Sequence, residues 1–210
     1  MDIKRQGNQM RAQQIITQLG RRGMDGFFCR SVEEAQARML DLIPATDRVG
    51  WGGSRTLEQI GIRELLRERG NPMIERSAEM PLALKRQRMR EALLSDTFLM
   101  STNAITLRGE LVNIDGIGNR VAALCFGPGQ VVIAAGMNKV VTDVESAIKR
   151  LHAVACAENS IRYGGKTPCA RTGLCGDCLE NSLCGQVVVT RLTQVPHRIK
   201  VVLIDAELGF

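Results

Sequence analysis

Arg48-Val-Gly-Trp-Gly-Gly-Ser-Arg-Thr-Leu-Glu-Gln59 reads as the end of a strand, a glycine-rich turn and the start of a helix. Glycine lets a backbone pass close to its neighbours or to a ligand. Thr56 followed three residues later by Gln59 has the pattern of a capping box, in which side chains satisfy the orphan amides of a first helical turn. The helix expected from this start is closed by Gly70 and Pro72. A strand that passes through glycines straight into a helix is a unit of an α/β layer fold.

The same alternation continues on both sides. Upstream, residues 25–29 read as a short strand, and Ser31 with Glu34 forms a second capping box ahead of Val32, Ala35, Met39 and Leu42 on one helical face. An opening helix over 8–22 carries Ile15, Ile16 and Leu19 at helical spacing. Downstream, Pro81 starts a helix with Leu82, Met89 and Leu93, and Thr97 to Met100 is a strand. From Ile105 to Ala135 short β pieces are predicted, broken by glycines. Thr142 to Glu145 is a third capping box, with Val144, Ala147, Ile148, Leu151 and Ala155 in helical register behind it. Val187–Leu192 and Ile199–Ile204 close the chain as two strands. The expected architecture is a layered α/β/α sheet, parallel or mixed, in one domain over residues 1–210.

Composition agrees with that reading. The chain has 210 residues, 44% hydrophobic and 24% charged, with 3% aromatic. This profile excludes disorder, collagen and coiled coil. Val121 to Met137 is the longest uncharged stretch, and Gly127-Pro128-Gly129-Gln130 divides it. Two buried strands joined by a turn explain it better than a membrane span. The N-terminal residues show positive charge with no apolar run behind it, so a soluble, cytoplasmic protein is expected. One Trp and one Tyr provide few stacking platforms, which argues against single-stranded nucleic acid in spite of the net charge of +6.

Two segments carry chemistry. The first is the glycine turn, where Gly52, Gly53, Ser54 and Thr56 offer backbone and hydroxyl donors to a phosphate or carboxylate. It is a poor dinucleotide fingerprint, because Arg55 occupies the third glycine position, and no Gly-Lys-Ser/Thr follows to make a P-loop. The second is Cys169-x5-Cys175-x2-Cys178-x5-Cys184, four of the seven cysteines on a glycine-rich loop within residues 158–185. In a reducing compartment such a set points to metal ligation rather than disulfides. An iron–sulfur cluster, 4Fe–4S included, tolerates the wide outer spacings, and zinc or free redox-active thiols are the alternatives. His152 and His197 are not placed by sequence to complete the set. Cys29, Cys125 and Cys156 fall in apolar elements and read as small core residues.

Val49 to Gly61, Ser101-Thr-Asn-Ala-Ile-Thr-Leu-Arg-Gly-Glu-Leu-Val-Asn-Ile-Asp-Gly-Ile-Gly-Asn-Arg-Val121 and Val132-Ile-Ala-Ala-Gly-Met-Asn-Lys-Val-Val141 together resemble the LUD domain, named for lactate utilisation. The resemblance implies the fold shared by ribose-5-phosphate isomerase, glucosamine-phosphate deaminase and CoA transferases. It also implies a role in bacterial oxidation of L-lactate to pyruvate alongside iron–sulfur electron-transfer proteins. By the same analogy Asn103, Thr106, Asp115 and Asn119 join the glycine turn around one cleft for a small anionic ligand. Lys139 would neutralise that anion, and Glu110 or Asp115 would act as a base or hold a sugar-like hydroxyl. The four-cysteine segment marks a cysteine-bearing branch. Three readings follow: a redox or accessory component with a cluster, an isomerase- or CoA-transferase-like enzyme centred on Glu110 and Lys139, and a sensor or nucleic-acid binder with a zinc knuckle. Homo-oligomerisation is left open by all three.

Overall fold

The computed structural model describes residues 2–210, so the first residue of the expected domain lies outside the described residues. Helix α1 (Ile3–Arg21) leads into β1 (Asp25–Cys29), α2 (Val32–Leu42) and β2 (Val49–Trp51). Two short helices follow, α3 (Arg55–Ile60) and α4 (Ile62–Glu68), then α5 (Leu82–Glu91) and β3 (Thr97–Met100). A β-hairpin of β4 (Ala104–Thr106) and β5 (Leu111–Asp115) precedes α6 (Asn119–Cys125), β6 (Gln130–Gly136) and the short β7 (Val140–Val141). Helix α7 (Val144–Arg150) runs through a π-helical turn at Leu151–Ala155 into α8 (Cys156–Arg162). The chain ends with α9 (Pro168–Thr172), β8 (Gln186–Thr190) and β9 (Ile199–Ile204).

Five strands form a wholly parallel sheet in the order β1-β9-β6-β3-β2. A parallel sheet needs cover on both faces, and the period-2 alternation of its strands supplies two apolar faces. Val131, Ile133 and Ala135 of β6, with Val201 and Leu203 of β9, pack against Ala12, Ile15 and Leu19 of α1 and against α6. Val132 and Ala134, with Val202 and Ile204, pack on the other side against Ala35 and Met39 of α2, Leu57 and Ile60 of α3, and Leu66 of α4. Each of the Val, Ile, Leu and Met side chains among these contributes about 1.5–3 kcal/mol when fully buried. A second sheet, β7-β4-β5-β8, is mixed and packs Ala104, Val112 and Ile114 against Ala147, Leu151 and Cys156 of the α7–α8 rod. The layered α/β/α expectation holds, with a smaller sheet added to one side. Among the described residues no helix is long and apolar enough to cross a membrane.

Local departures from the sequence reading have identifiable causes. Val121–Cys125 is helical, not the first of two strands: Asp115 Oδ2 accepts the amides of Arg120 (3.0 Å) and Val121 (3.3 Å) at its start. Its last carbonyls, Ala123 and Leu124, are taken by the guanidinium of Arg198, each at 2.7 Å. The helix after the glycine turn breaks at Gly61, whose φ of 71° ends α3 before α4 begins. Its N-cap is Ser54, which accepts from the amide of Leu57 at 3.2 Å, so Thr56 lies inside the helix with its hydroxyl free for other work. The third cap is shifted by one residue, from Thr142 to Asp143, which accepts from the amide of Ser146 at 2.8 Å. The cysteine-rich stretch is not all loop, since α8 extends to Arg162 and Pro168–Thr172 is helical. Cys29 and Cys156 are buried as expected, but Cys125 is exposed at the end of α6.

Gly26 of β1 marks a close approach between α1 and the sheet. A Cβ there would stand 2.9 Å from the side chains of both Ile16 and Leu19 and 3.0 Å from the Ile16 Cα. Because backbone is among the atoms that must yield, Gly26→Ala is expected to cost about 1–3 kcal/mol. In urea unfolding the midpoint should fall with the slope unchanged; an unaltered midpoint would show that α1 is not pressed onto β1 as described.

Candidate functional site

The ends of three neighbouring parallel strands converge on one place. β2 delivers Trp51 and the glycine turn, β3 delivers Ser101, and β6 runs through Gly136 into a single 3-10 turn that carries Lys139. Clefts in parallel α/β sheets form at the carboxyl ends of strands, where successive connections diverge. Here the cleft has a volume of about 650 Å³ and is walled on the far side by α8 and by the turn between β5 and α6.

Lys139 is its most unusual group. The side chain is buried, with the residue only 3% exposed, and its Nζ donates to Ser101 Oγ at 2.9 Å and Thr56 Oγ1 at 3.0 Å. It forms no ion pair among the described residues. Burial, reinforced by the positive charges of Arg150 and Arg120, pushes its pKa from 10.5 down to about 7. Both guanidiniums are held in place. Arg150 donates to the carbonyls of Asn103 (2.9 Å) and Asn138 (3.3 Å), and Arg120 to the carbonyl of Ile114 (2.7 Å).

The walls are cationic. Arg63 and Arg76 line the cleft without a carboxylate partner among the described residues. Arg63 lies over the Trp51 ring at 5.8 Å with its Nε buried and unbonded, and burial lowers the pKa of Arg76. The acids that line the same space are already engaged. Glu58 pairs with Arg162 and, at 3.5 Å, with Arg55. Asp115 accepts the amide of Gly116 at 2.9 Å as well as those that start α6, and pairs with Arg120 at 3.5 Å. Asp115 therefore works as a helix cap at the rim.

Seven of the ten residues expected at an anion cleft from sequence line it together: Gly53, Ser54, Thr56, Asn103, Asp115, Asn119 and Lys139. Gly52 stands behind them for a reason unlike the one expected. A Cβ at this position would overlap the Arg120 side chain, so its role is to let Arg120 cross the turn. Thr106 and Glu110 are elsewhere, at the β4–β5 turn. There Glu110 accepts from Thr106 Oγ1 at 2.6 Å and pairs with Arg22 of α1 at 3.1 Å, a knot that fastens the second sheet to the first. Both positions lie in the Ser101–Val121 motif, but the hairpin turns their side chains away from the cleft. The sequence reading missed Ser101, Arg63, Arg76, Arg120, Arg162 and Cys156. Ser101 and Arg120 bracket that motif; Arg63 and Arg76 carry no local signal.

The thiols are only partly gathered. Cys156 on α8 lies against Cys184, and Cys169 and Cys175 are near enough to disfavour its ionisation. The hydrogen bond from Cys156 raises its own pKa and lowers that of Cys184. His152 Nδ1 is 3.3 Å from Cys175 Sγ, so the histidine that sequence left aside does reach the loop. Among the described residues, however, no three Cys, His, Asp or Glu side chains converge as a metal-binding group. The thiols as placed do not form a ligand shell.

Against known proteins, the LUD domain profile matches residues 12–204 of the chain. No curated protein matches it. Among solved structures, the crystal structure of a DUF162 family protein from Deinococcus radiodurans aligns over 95% of this chain and 98% of that one, with 12% identity and a TM-score of 0.48.

The depressed pKa of Lys139 makes stability depend on pH. Between about 7 and 10.5 the unfolded chain holds a proton on this lysine that the folded chain has lost, so wild-type stability rises with pH across that window. Below it the buried charge opposes folding in full. Lys139→Met removes the charge, so the variant is expected to be the more stable at the acid end by a few kcal/mol, in the order set by about 1.4 kcal/mol per pKa unit. The advantage should shrink as pH rises. Denaturant melts of both proteins across this range test it; parallel pH profiles would show that Lys139 is not buried as a charge.

Proposed function

Because the chain belongs to the LUD-domain family, and is thus related to lactate utilisation, we propose that its cleft holds a small carboxylate of the 2-hydroxy acid and 2-oxo acid class, with Lys139 at its floor. The observation that carries this reading is the excess of unpaired positive charge. Lys139, Arg63 and Arg76 face a shared space without carboxylate partners among the described residues, and Ser101 and Thr56 set hydroxyls beside the lysine. An enclosed anion gains charge-assisted hydrogen bonds worth more than neutral ones, and it lowers the electrostatic cost of the buried cations. A volume of about 650 Å³ lies within the range of small-molecule sites.

In this reading the protein serves as a redox or accessory component in oxidation of L-lactate or a related 2-hydroxy acid to its keto acid. Lys139, Arg63 and Arg76 bind and orient the carboxylate. Thr56 and Ser101 hold the position of Nζ and offer hydroxyls to the ligand's own oxygen. Glu110 has no place in this arrangement, since its carboxylate is spent on Arg22 and Thr106.

A second reading concerns the cysteines. It is supported by the Cys169, Cys175, Cys178 and Cys184 spacing and by the nearness of Cys156 to three of these thiols, Cys169, Cys175 and Cys184. Iron, sulfide and zinc analysis on protein prepared without oxygen separates an iron–sulfur cluster from zinc and from free thiols. If metal is found, Cys156→Ala should reduce its content at least as much as Cys178→Ala; retention in full by Cys156→Ala would return the ligand set to the four motif cysteines.

Calorimetric titration with L-lactate, pyruvate and the neutral isostere lactamide tests the first reading. The two acids are expected to bind and lactamide not to. Lys139→Met and Arg76→Met should each weaken binding roughly ten- to hundredfold, as expected for loss of one charge-assisted bond. Affinity should also fall as pH rises through about 7, where Lys139 loses its charge. Equal binding of lactamide and lactate, or variants that bind as the wild type does, would remove the cleft as a carboxylate site.

A further inference from the structure

We infer that Lys139 Nζ is a nucleophile, which condenses with the ketone of a 2-oxo acid held in the cleft to form an imine. The inference rests on the reading of the cleft as a carboxylate site, and it narrows the ligand from carboxylates in general to those with an adjacent carbonyl.

Geometry supports it first. Apart from its bond to Cε, an amine nitrogen has three directions available. Two are taken by Ser101 Oγ at 2.9 Å and Thr56 Oγ1 at 3.0 Å, and the third has no partner among the described residues. A lysine that served only to neutralise a fixed carboxylate of the fold would have that carboxylate within ion-pair distance, and among the described residues none is. The groups facing Nζ from each surrounding element are hydroxyls, backbone or cations: Thr56 on α3, Ser101 after β3, Arg120 on α6, Arg150 on α7 and the Leu208–Gly209 segment. That segment is itself tied down. The amide of Leu208 donates to Asn138 Oδ1 at 3.1 Å and the amide of Gly209 to Gln59 Oε1 at 2.6 Å, so backbone passes close over the amine and limits its access to water.

These surroundings favour the neutral amine, since two arginines and burial all oppose the ammonium. A free lysine near neutrality is almost wholly protonated and has no lone pair to give; one placed like Lys139 is unprotonated in a substantial fraction. The two fixed hydroxyls are within reach of both nitrogen and an attached oxygen. The step balances without an oxidant or reductant. The nitrogen lone pair attacks the ketone carbon, a C–N bond forms, and the carbonyl π pair moves to oxygen. That oxygen takes a proton while nitrogen gives one up, through the Ser101 and Thr56 hydroxyls. The hydroxyl then takes a second proton, with nitrogen losing its last, and leaves as water when the C=N bond forms. Protons taken and given are equal, and the only product besides the imine is water. Arg63 and Arg76 hold the carboxylate meanwhile.

Borohydride reduction in the presence of pyruvate provides the test, because it turns a reversible imine into a stable secondary amine. Peptide mass mapping should find Lys139 carrying the mass of pyruvic acid less one oxygen atom, in preference to the exposed lysines. Acetone, which has the ketone without the carboxylate, should give none at Lys139, and L-lactate should protect it. The labelling rate should rise as pH increases through about 7, the opposite of the trend expected for reversible carboxylate binding. Ser101→Ala should slow labelling several-fold while leaving the site of labelling unchanged. Lys139→Arg should bind pyruvate and trap nothing; if it does not fold, protection of the wild type by lactate supplies the same control. Pyruvate that binds calorimetrically but is never trapped at Lys139, or trapping spread evenly over the other lysines, would overturn the imine and leave the cleft reading standing. Failure of pyruvate both to bind and to be trapped would overturn the two together.

Discussion

Strand β6 is hydrogen-bonded to β3 on one side and β9 on the other, and both its faces are covered by helices. Every side chain from Val131 to Ala135 is fully buried, so no residue of this run can be displaced without disturbing one of two cores. That constraint fixes the level at which β6 ends. Lys139 follows three residues after its last, on a tight 3-10 turn, and the neighbouring strands β3 and β2 bring Ser101 and the glycine turn to the same end of the sheet. The position of the lysine is thus a property of the sheet rather than of a mobile loop, which suits a group that must be held to a fraction of an ångström.

Keeping a lysine there costs stability. An ammonium buried without a carboxylate is unfavourable, and two pinned arginines make it more so. A structural polar contact could be made at lower cost by a neutral donor such as glutamine. Strained or uncompensated groups of this kind cluster at functional sites, where a ligand supplies what the fold withholds. The cations of the walls follow the same logic. Asp115 and Glu58 are occupied by amides and by arginines at the rim, and so the interior retains its positive charge. Cys156 lines this cleft while also touching Cys184, which makes α8 the shared wall of the anion site and the cysteine segment.

Much of this was legible in residue order. Alternating apolar patterns, three capping signals and the glycine turn define the layered fold, because helix and strand periods are local properties of a chain. Motif resemblance joins Asn103, Asp115, Asn119 and Lys139 to Gly53, Ser54 and Thr56 of the glycine turn, and these seven share one cleft. Thr106 and Glu110 were assembled by the same resemblance and do not. Adjacency in a motif carries no information about which way a hairpin turns successive side chains, and here Arg22, far back in α1, takes up the glutamate. Helix α6 was hidden for a similar reason: its start is satisfied by Asp115 and its end by Arg198, which come together only when β9 is in place.

Residue order carries the elements other than α6, their succession, the apolar faces that must be covered and the presence of a lysine after the central strand. Each of these depends on interactions between residues a few positions apart. Only tertiary structure sets hydroxyls around this lysine and, among the described residues, no carboxylate within ion-pair distance. It alone brings Arg63, Arg76 and Arg120 from three segments onto one cavity, and sets Cys156, buried in the core of the second sheet, against the other thiols as well. Charge and proton affinity follow from what lies within a few ångströms in space, and no local pattern specifies those neighbours.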